Sequence, residues 1–389
     1  MVFFVITSII YYWEIGSFIS YQTGMLFMIR KLSIQQFVTM ASHHPVIDVR
    51  SPGEYSHAYI QGAYSLPLFS DEERKVVGTA YKQQGRQKAI RIGLEYFGVK
   101  MRGMLDEVET FIGNRQLAMG KGQPVMANCI LLYCWRGGMR SAGVAWLLDL
   151  YGYEVYTLVG GYKAYRNWVL QQFEKEYKLK IVGGYTGSGK TKVLDQLLKL
   201  QEPVIDLEAL ANHKGSAFGG IGQPKQPSQE MFDNLLATEL ERIKQIPEIQ
   251  GRSIWIEDES QRIGVLNIPN NFWKTMRNQP VYFIDIPFSQ RLDYILHEYG
   301  ALDKQRLSDA IERIQKRLGP LETKTALAEL EAGNIKECFR ILLSYYDKLY
   351  SKGLHNRENI GELLNKIPCS TVDRISITEK LLSCATAET

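Results

Sequence analysis

Cysteine is scarce in this chain of 389 residues, and what there is forms no pair. Cys129, Cys134, Cys338, Cys369 and Cys384 are scattered, with no CxxC spacing among them. That excludes a disulfide framework, argues against a structural zinc site and fits a reducing cytoplasm. Charge of one sign is scarce too. The 46 Lys and Arg against 42 Asp and Glu leave a formal charge of +4. Such a balance admits an anionic partner but not a polybasic, histone-like binder. Internal repeats and low-complexity blocks are missing, which excludes solenoids and disordered or collagen-like chains. With 45% hydrophobic and 23% charged residues, the composition is globular. The length predicts two domains or three.

Long apolar runs are confined to the first 28 residues, MVFFVITSIIYYWEIGSFISYQTGMLFM. Glu14, Gly16, Ser17 and Gln22 interrupt that run. A charge near a bilayer centre costs roughly 2.5–3.5 kcal/mol on insertion scales. The run also lacks the basic start and small-residue cleavage site of a signal peptide. The expectation is an apolar extension over 1–30 that is dispensable, with translation starting at Met25 or Met28 and no membrane partner.

From Lys31 onward, short apolar strands alternate with helical stretches, the pattern of parallel α/β architecture. Ser33 is placed to cap a short helix, and Val46–Val49 and Ile130–Tyr133 read as buried strands. EVYTLVGGY is a third strand and turn. A first α/β domain is expected over 31–172, with 163–178 a helical linker. A second is expected over 173–307, where LKIVGGYTGSGKTKVLDQLLKL reads as strand, glycine-rich loop and helix. A helical segment over 308–366 and a loose tail over 367–389 complete the chain.

Two loops carry chemistry. The first is Cys134-Trp135-Arg136-Gly137-Gly138-Met139-Arg140-Ser141, between a strand and a helix. A helix N-terminus favours a thiolate, Arg136 and Arg140 add positive charge, and the glycines let backbone N–H groups turn inward. The result is a cradle for a tetrahedral anion beside a nucleophilic sulfur. The second loop, Gly184-Tyr185-Thr186-Gly187-Ser188-Gly189-Lys190-Thr191, matches GxxxxGK[ST] in the strand–loop–helix setting of a P-loop. Gly184, Thr186, Gly187, Ser188 and Gly189 would cradle a diphosphate, Lys190 would contact its outer oxygens, and Thr191 can ligate Mg²⁺. Glu257 and Asp258, at a strand end, and Asp206 are candidate supporting acids. Phe218, Phe232 and Trp255 are candidates to line an apolar pocket.

DVRSPGEYSHAYIQGAYSLPL followed by YCWRGGMRS resembles a rhodanese domain. The Cys-x5-Arg spacing from Cys134 to Arg140 is shared with rhodanese-like phosphatases, so the loop alone leaves transferase and phosphatase open. A rhodanese-like parallel-sheet domain, then a P-loop NTPase-like α/β domain and C-terminal helices, is the expected fold. That order, with IDLEALANHKGSAFGGIGQPKQPSQEMFDNLL and WIEDESQRIG, resembles the bacterial tRNA 2-selenouridine synthases.

The resemblance implies a cytoplasmic enzyme, expected to be a monomer, that acts on the wobble uridine in the tRNA anticodon loop. It implies conversion of 2-thiouridine to 2-selenouridine through S-geranyl-2-thiouridine. Geranyl diphosphate and selenophosphate would be co-substrates, with no tightly bound cofactor. A rhodanese-type sulfurtransferase fused to an NTPase or kinase module is the alternative. A catalytically idle tRNA- or nucleotide-binding regulator is a third class. For RNA, the runs Lys82, Arg86, Lys88, Arg91 and Arg306, Arg313, Lys316, Arg317 are either phosphate contacts or solvated helix faces.

Overall fold

The computed structural model describes residues 29–119, 129–216, 219–300 and 303–386. The expectations for the N-terminal extension and for Phe218 lie outside those residues.

The first half runs β1 (Arg30–Leu32), α1 (Ile34–Ala41), β2 (Val46–Asp48), α2 (Pro52–His57), β3 (Tyr64–Ser65), α3 (Asp71–Gln84), α4 (Arg86–Met119), β4 (Cys129–Tyr133), α5 (Met139–Tyr151), β5 (Glu154–Leu158) and α6 (Gly161–Gln172). Its five strands pair in parallel in the order β1-β5-β4-β2-β3. Every residue of β4, Cys-Ile-Leu-Leu-Tyr, is buried, as a central parallel strand covered on both faces requires. Ser33 caps α1 by accepting from the Gln36 N–H, and the Gln36 side chain answers on the Ser33 N–H.

The second half runs β6 (Leu179–Gly184), α7 (Lys190–Lys199), β7 (Val204–Ile205), α8 (Leu207–Ala211), α9 (Gln229–Gln245), β8 (Ile254–Glu257), a β9–β10 hairpin (Arg262–Ile263, Leu266–Asn267), α10 (Asn270–Arg277), β11 (Val281–Asp285) and α11 (Phe288–Tyr299). Then come α12 (Lys304–Leu318), α13 (Pro320–Glu331), α14 (Ile335–His355), α15 (Ile360–Leu363), β12 (Leu364–Pro368) and α16 (Arg374–Thr386). This sheet is also parallel, in the order β12-β11-β6-β8-β7, which puts β6 and its loop at the centre. The protein is thus a parallel-sheet α/β structure with a rhodanese-like first half and C-terminal helices. No helix among the described residues is long and apolar enough to cross a membrane.

Three expectations are corrected. Residues 163–178 are no linker: α6 buries Tyr162, Tyr165, Trp168 and Val169 in a core that also holds Phe37, Phe232 and Leu236. The tail is not loose. Strand β12 pairs with β11, and α16 buries Ile377, Leu381 and Ala385 against α7 and the second sheet. Thr378 and Ser383, polar and mid-helix, mask that apolar spacing in the sequence. Phe232 and Trp255 do not share a pocket, for they are buried in different apolar clusters.

Leu381 is fully buried. Leu381→Ala is expected to destabilise the protein by about 2–5 kcal/mol, the range for a core truncation. Urea unfolding checks this, and a neutral result would restore the loose tail.

Candidate active site

Strand β4 ends at Tyr133 and delivers Cys134, only 3% exposed, into a loop that closes at α5. Ser141 Oγ stands 3.2 Å from the sulfur. Burial opposes ionisation of the thiol. The Ser141 hydroxyl, the N–H groups of Arg136 and Gly138 and the charge of Arg140 outweigh it, so the thiol sits below its ordinary value. Burial instead pushes the Cys129 and Cys338 thiols up to about 11. Arg140 is itself held by Glu54, at 2.7 Å, and Arg74 approaches the same carboxylate at 3.0 Å. Although burial works against it, Arg140, the Ser51 N–H and Arg74 bring Glu54 down to about 2.

The loop has one available backbone path. The N–H groups of Tyr162 and Lys163, in the first turn of α6, donate to the carbonyls of Cys134 and Trp135 at 2.8 and 3.0 Å. A Cβ on Gly161 (φ +59°) would lie 2.3 Å from the Cys134 oxygen. Beneath the loop, buried Arg50 pairs with buried Asp48 at 2.6 Å and donates to the Ala58 carbonyl at 2.7 Å. Its guanidinium lies 3.8 Å from the centre of the Tyr162 ring.

The second loop follows β6. Gly187 (φ +82°) packs against α11, where a Cβ would meet Ile295 at 2.8 Å. Lys190 donates to the Gly184 carbonyl at 3.1 Å and lies 3.5 Å from Glu257. Thr191 Oγ1 is 3.2 Å from Glu208 and 3.5 Å from Glu257. Glu208, Glu257 and Glu259 each bring one oxygen within 4.8 Å of the others. Burial raises all three carboxyls, helped by Glu257 and Glu259 at Glu208, by Asp206 and Asp258 at Glu257 and by Glu257 and Asp258 at Glu259, against the opposing charge of Lys190. Burial acts to lower Lys190, but Glu257, Glu259, Glu208 and Asp258 prevail and raise it. From α14, Tyr350 donates to Asp258 at 2.6 Å and accepts from the Gly184 N–H at 3.1 Å. Arg357 pairs with the other oxygen of Asp258.

Both loops open on one face. Helix α9 runs beside α6 in the same direction: Tyr162 meets Glu230 and Asn234, and Tyr165 meets Thr238. Lys244, near the end of α9, covers Tyr177, just before β6. Gln229, at its start, contacts Asn267, beyond the end of β8. Strands β6 and β8 therefore run opposite to α6 and α9. The carboxyl end of β6, with its loop, lies where α6 begins, at the Cys134 loop. Helix α2 links the Cys134 loop to the start of α9, with Glu54 on Arg140 and the His57 carbonyl accepting from Ser228.

Of the candidate residues, Cys134, Arg136 and Arg140 surround one sulfur, and Gly184 to Thr191 form one loop. Glu257 joins the second loop. Asp206 instead caps α8, accepting from the Ala209 N–H at 2.8 Å. Asp258 turns away to Tyr350 and Arg357. Sequence reasoning did not single out Glu208, Glu259 or Glu54 as site acids. The signal was available in part: Glu257 and Glu259 alternate just past a strand end.

Two family models match the chain. The rhodanese-like domain covers residues 33–167, and the tRNA 2-selenouridine synthase AAA domain covers residues 177–364. A tRNA 2-selenouridine synthase of Nitrosomonas europaea is 35% identical over 300 residues, 76% of this chain and 73% of that one. One of Bdellovibrio bacteriovorus is 34% identical over 356 residues, 80% of this chain and 89% of that one. Among solved structures, a Saccharomyces cerevisiae homolog of single-domain rhodanese and the Cdc25 phosphatase catalytic domain is 14% identical, with a TM-score of 0.25. It covers 38% of this chain and 88% of that one.

Because Ser141 favours the thiolate, Ser141→Ala is expected to raise the Cys134 pKa and slow its alkylation at neutral pH. Iodoacetamide rates against pH, read at Cys134 by peptide mass mapping, check this. An unchanged profile would remove Ser141 from the site's electrostatics.

Proposed function

The chain belongs to the tRNA 2-selenouridine synthase family, and on that premise we propose that it exchanges the sulfur of a wobble 2-thiouridine in tRNA for selenium, in two steps at its two loops. At the P-loop, the 2-thio sulfur attacks C1 of geranyl diphosphate. The carbon–oxygen bond to the diphosphate breaks, and the leaving group is held by the backbone of Gly184 to Gly189 and by Lys190. At the other loop, selenophosphate rests in the cradle of Arg136, Gly137 and Gly138. Its selenium bonds to C2 of the base as the C2–S bond breaks and geranylthiol departs. Water then cleaves the phosphorus–selenium bond, releasing phosphate. This second step depends on the Cys134 thiolate. One observation carries the proposal: a single chain holds an anion cradle at a lowered-pKa cysteine and a P-loop over an acid cluster.

A hard divalent cation fits beside Thr191. Glu208, Glu257 and Glu259 converge there, and Lys190 alone opposes their charge. An all-oxygen donor set suits Mg²⁺, which would neutralise the departing diphosphate. The raised carboxyls give a sign. Without a cation, stability should fall as pH rises from the ordinary carboxylate range through neutrality, because the unfolded chain loses those protons first. Added magnesium should raise the melting temperature most at the upper end of that window, on the order of 2–4 °C per kcal/mol of linkage. Thermal melts from pH 6 to 8.5 with and without magnesium test this. A magnesium effect that is absent, or greatest at low pH, would remove the cation from this site.

Nucleoside mass spectrometry of tRNA separates the two steps. Cys134→Ser should lose selenation while S-geranyl-2-thiouridine accumulates. Lys190→Ala should lose geranylation by roughly 10²-fold or more, the scale of one preorganised electrostatic group. Normal geranylation by Lys190→Ala would favour a sulfurtransferase fused to an NTPase.

A further inference from the structure

Residues 220–223 and the outer face of α12 enclose a cleft of about 1220 Å³. Ile221 packs on the apolar cluster of Leu292, Ile295, Leu307 and Ile311. Ile295 is the residue against which Gly187 is pressed. The cleft and the P-loop are thus separated by α11, a helix width of about 10–12 Å.

Arg306, Arg313 and Lys316 line the cleft, and Arg317 adjoins them. All four are exposed, and none belongs to an ion pair among the described residues. Some exposed cations are paired within their own helix or with a neighbour, as Arg340 is with Glu337 and Lys336 with Asp293. Positions 306, 313 and 316 fall on one helical face and span about 15 Å of rise. A compact anion wants its cations convergent. Cations strung along a helix suit a ligand with repeated, spaced charges. Asp309 and Glu312 in the same wall act against a small polyanion filling the cleft. Gln305 ties down the Asp309 carboxylate, and the Asp309 carbonyl accepts from Arg313 Nε. A Cβ placed on Gly222 would meet nothing within 4 Å, so a sugar–phosphate chain can approach the backbone closely there.

We propose that this cleft is the track for the tRNA backbone flanking the nucleotide under modification, with Arg306, Arg313 and Lys316 as its phosphate contacts. The assignment rests on the tRNA substrate proposed above. It favours this surface over Lys82, Arg86 and Lys88 of α3 and α4, because this one lies across a single helix, α11, from the P-loop.

The test is a salt titration of tRNA binding to the full-length protein between about 50 and 200 mM salt. Reversal of Arg306, Arg313 and Lys316 to Glu should weaken binding by roughly 10-fold or more. It should reduce the log–log salt slope by about 2, at 0.7 per single-strand contact. The KM for tRNA should rise while kcat and the KM for geranyl diphosphate hold. Arg313→Gln alone, a milder change, should reduce the slope by about 0.7. An unchanged slope in both variants, or a loss found only on reversing Lys82, Arg86 and Lys88, overturns the track and leaves the enzymatic reading standing. A wild-type protein that neither binds nor modifies tRNA overturns that reading itself.

Discussion

Tyr162 is the residue on which both halves lean. Its N–H fixes the Cys134 carbonyl, its ring takes the Arg50 guanidinium, and its hydroxyl lies between Glu230 and Asn234 of the other half. Breaking a buried ion pair by removing one partner typically costs about 3–5 kcal/mol. The Asp48–Arg50 pair is therefore safe only while something covers it, and Tyr162 is its cover. From there an aromatic column continues through Tyr165 to Trp168, with ring centres 5.9 and 5.6 Å apart. The cysteine loop is shaped from one side by its own sheet and from the other by a helix shared with the neighbouring half.

The two loops solve opposite electrostatic problems. Around Cys134, backbone dipoles and arginine charge favour an anion on sulfur, and Glu54 limits the excess by occupying Arg140. Around Lys190 the surplus is negative. Three carboxyls crowd beneath the P-loop, and burial and acidic neighbours raise all three. Tyr350 and Arg357 hold a fourth acid, Asp258, whose charge still acts on Lys190, Glu257 and Glu259. Helix α14 is thus part of the P-loop's charge balance as well as a packing element.

How far the sequence speaks follows from range. The Cys134 loop and the P-loop are each written within eight consecutive residues, and short-range backbone chemistry makes them legible. Parallel strands such as Ile130–Tyr133 are legible for the same reason, since burial on both faces leaves an unbroken apolar run. The acid cluster is not local: Glu208 comes from α8, and Glu257 and Glu259 from the end of β8. Asp206, a candidate because it follows a strand directly, caps a helix with one oxygen, and its charge reaches the cluster all the same. Glu54 lies 86 residues from Arg140 and has no reason to stand out. The tail misled because β12 and α16 gain their stability from the second sheet rather than from their own pattern.

The common orientation of the two sheets has a consequence for water. Each loop leaves its sheet at the carboxyl end of a strand, β4 in one half and β6 in the other. Reactive intermediates at such mouths are exposed to hydrolysis unless something shuts them off from solvent. On the function proposed above, an RNA docked over either mouth would itself be the roof that a smaller ligand would need a folding loop to provide.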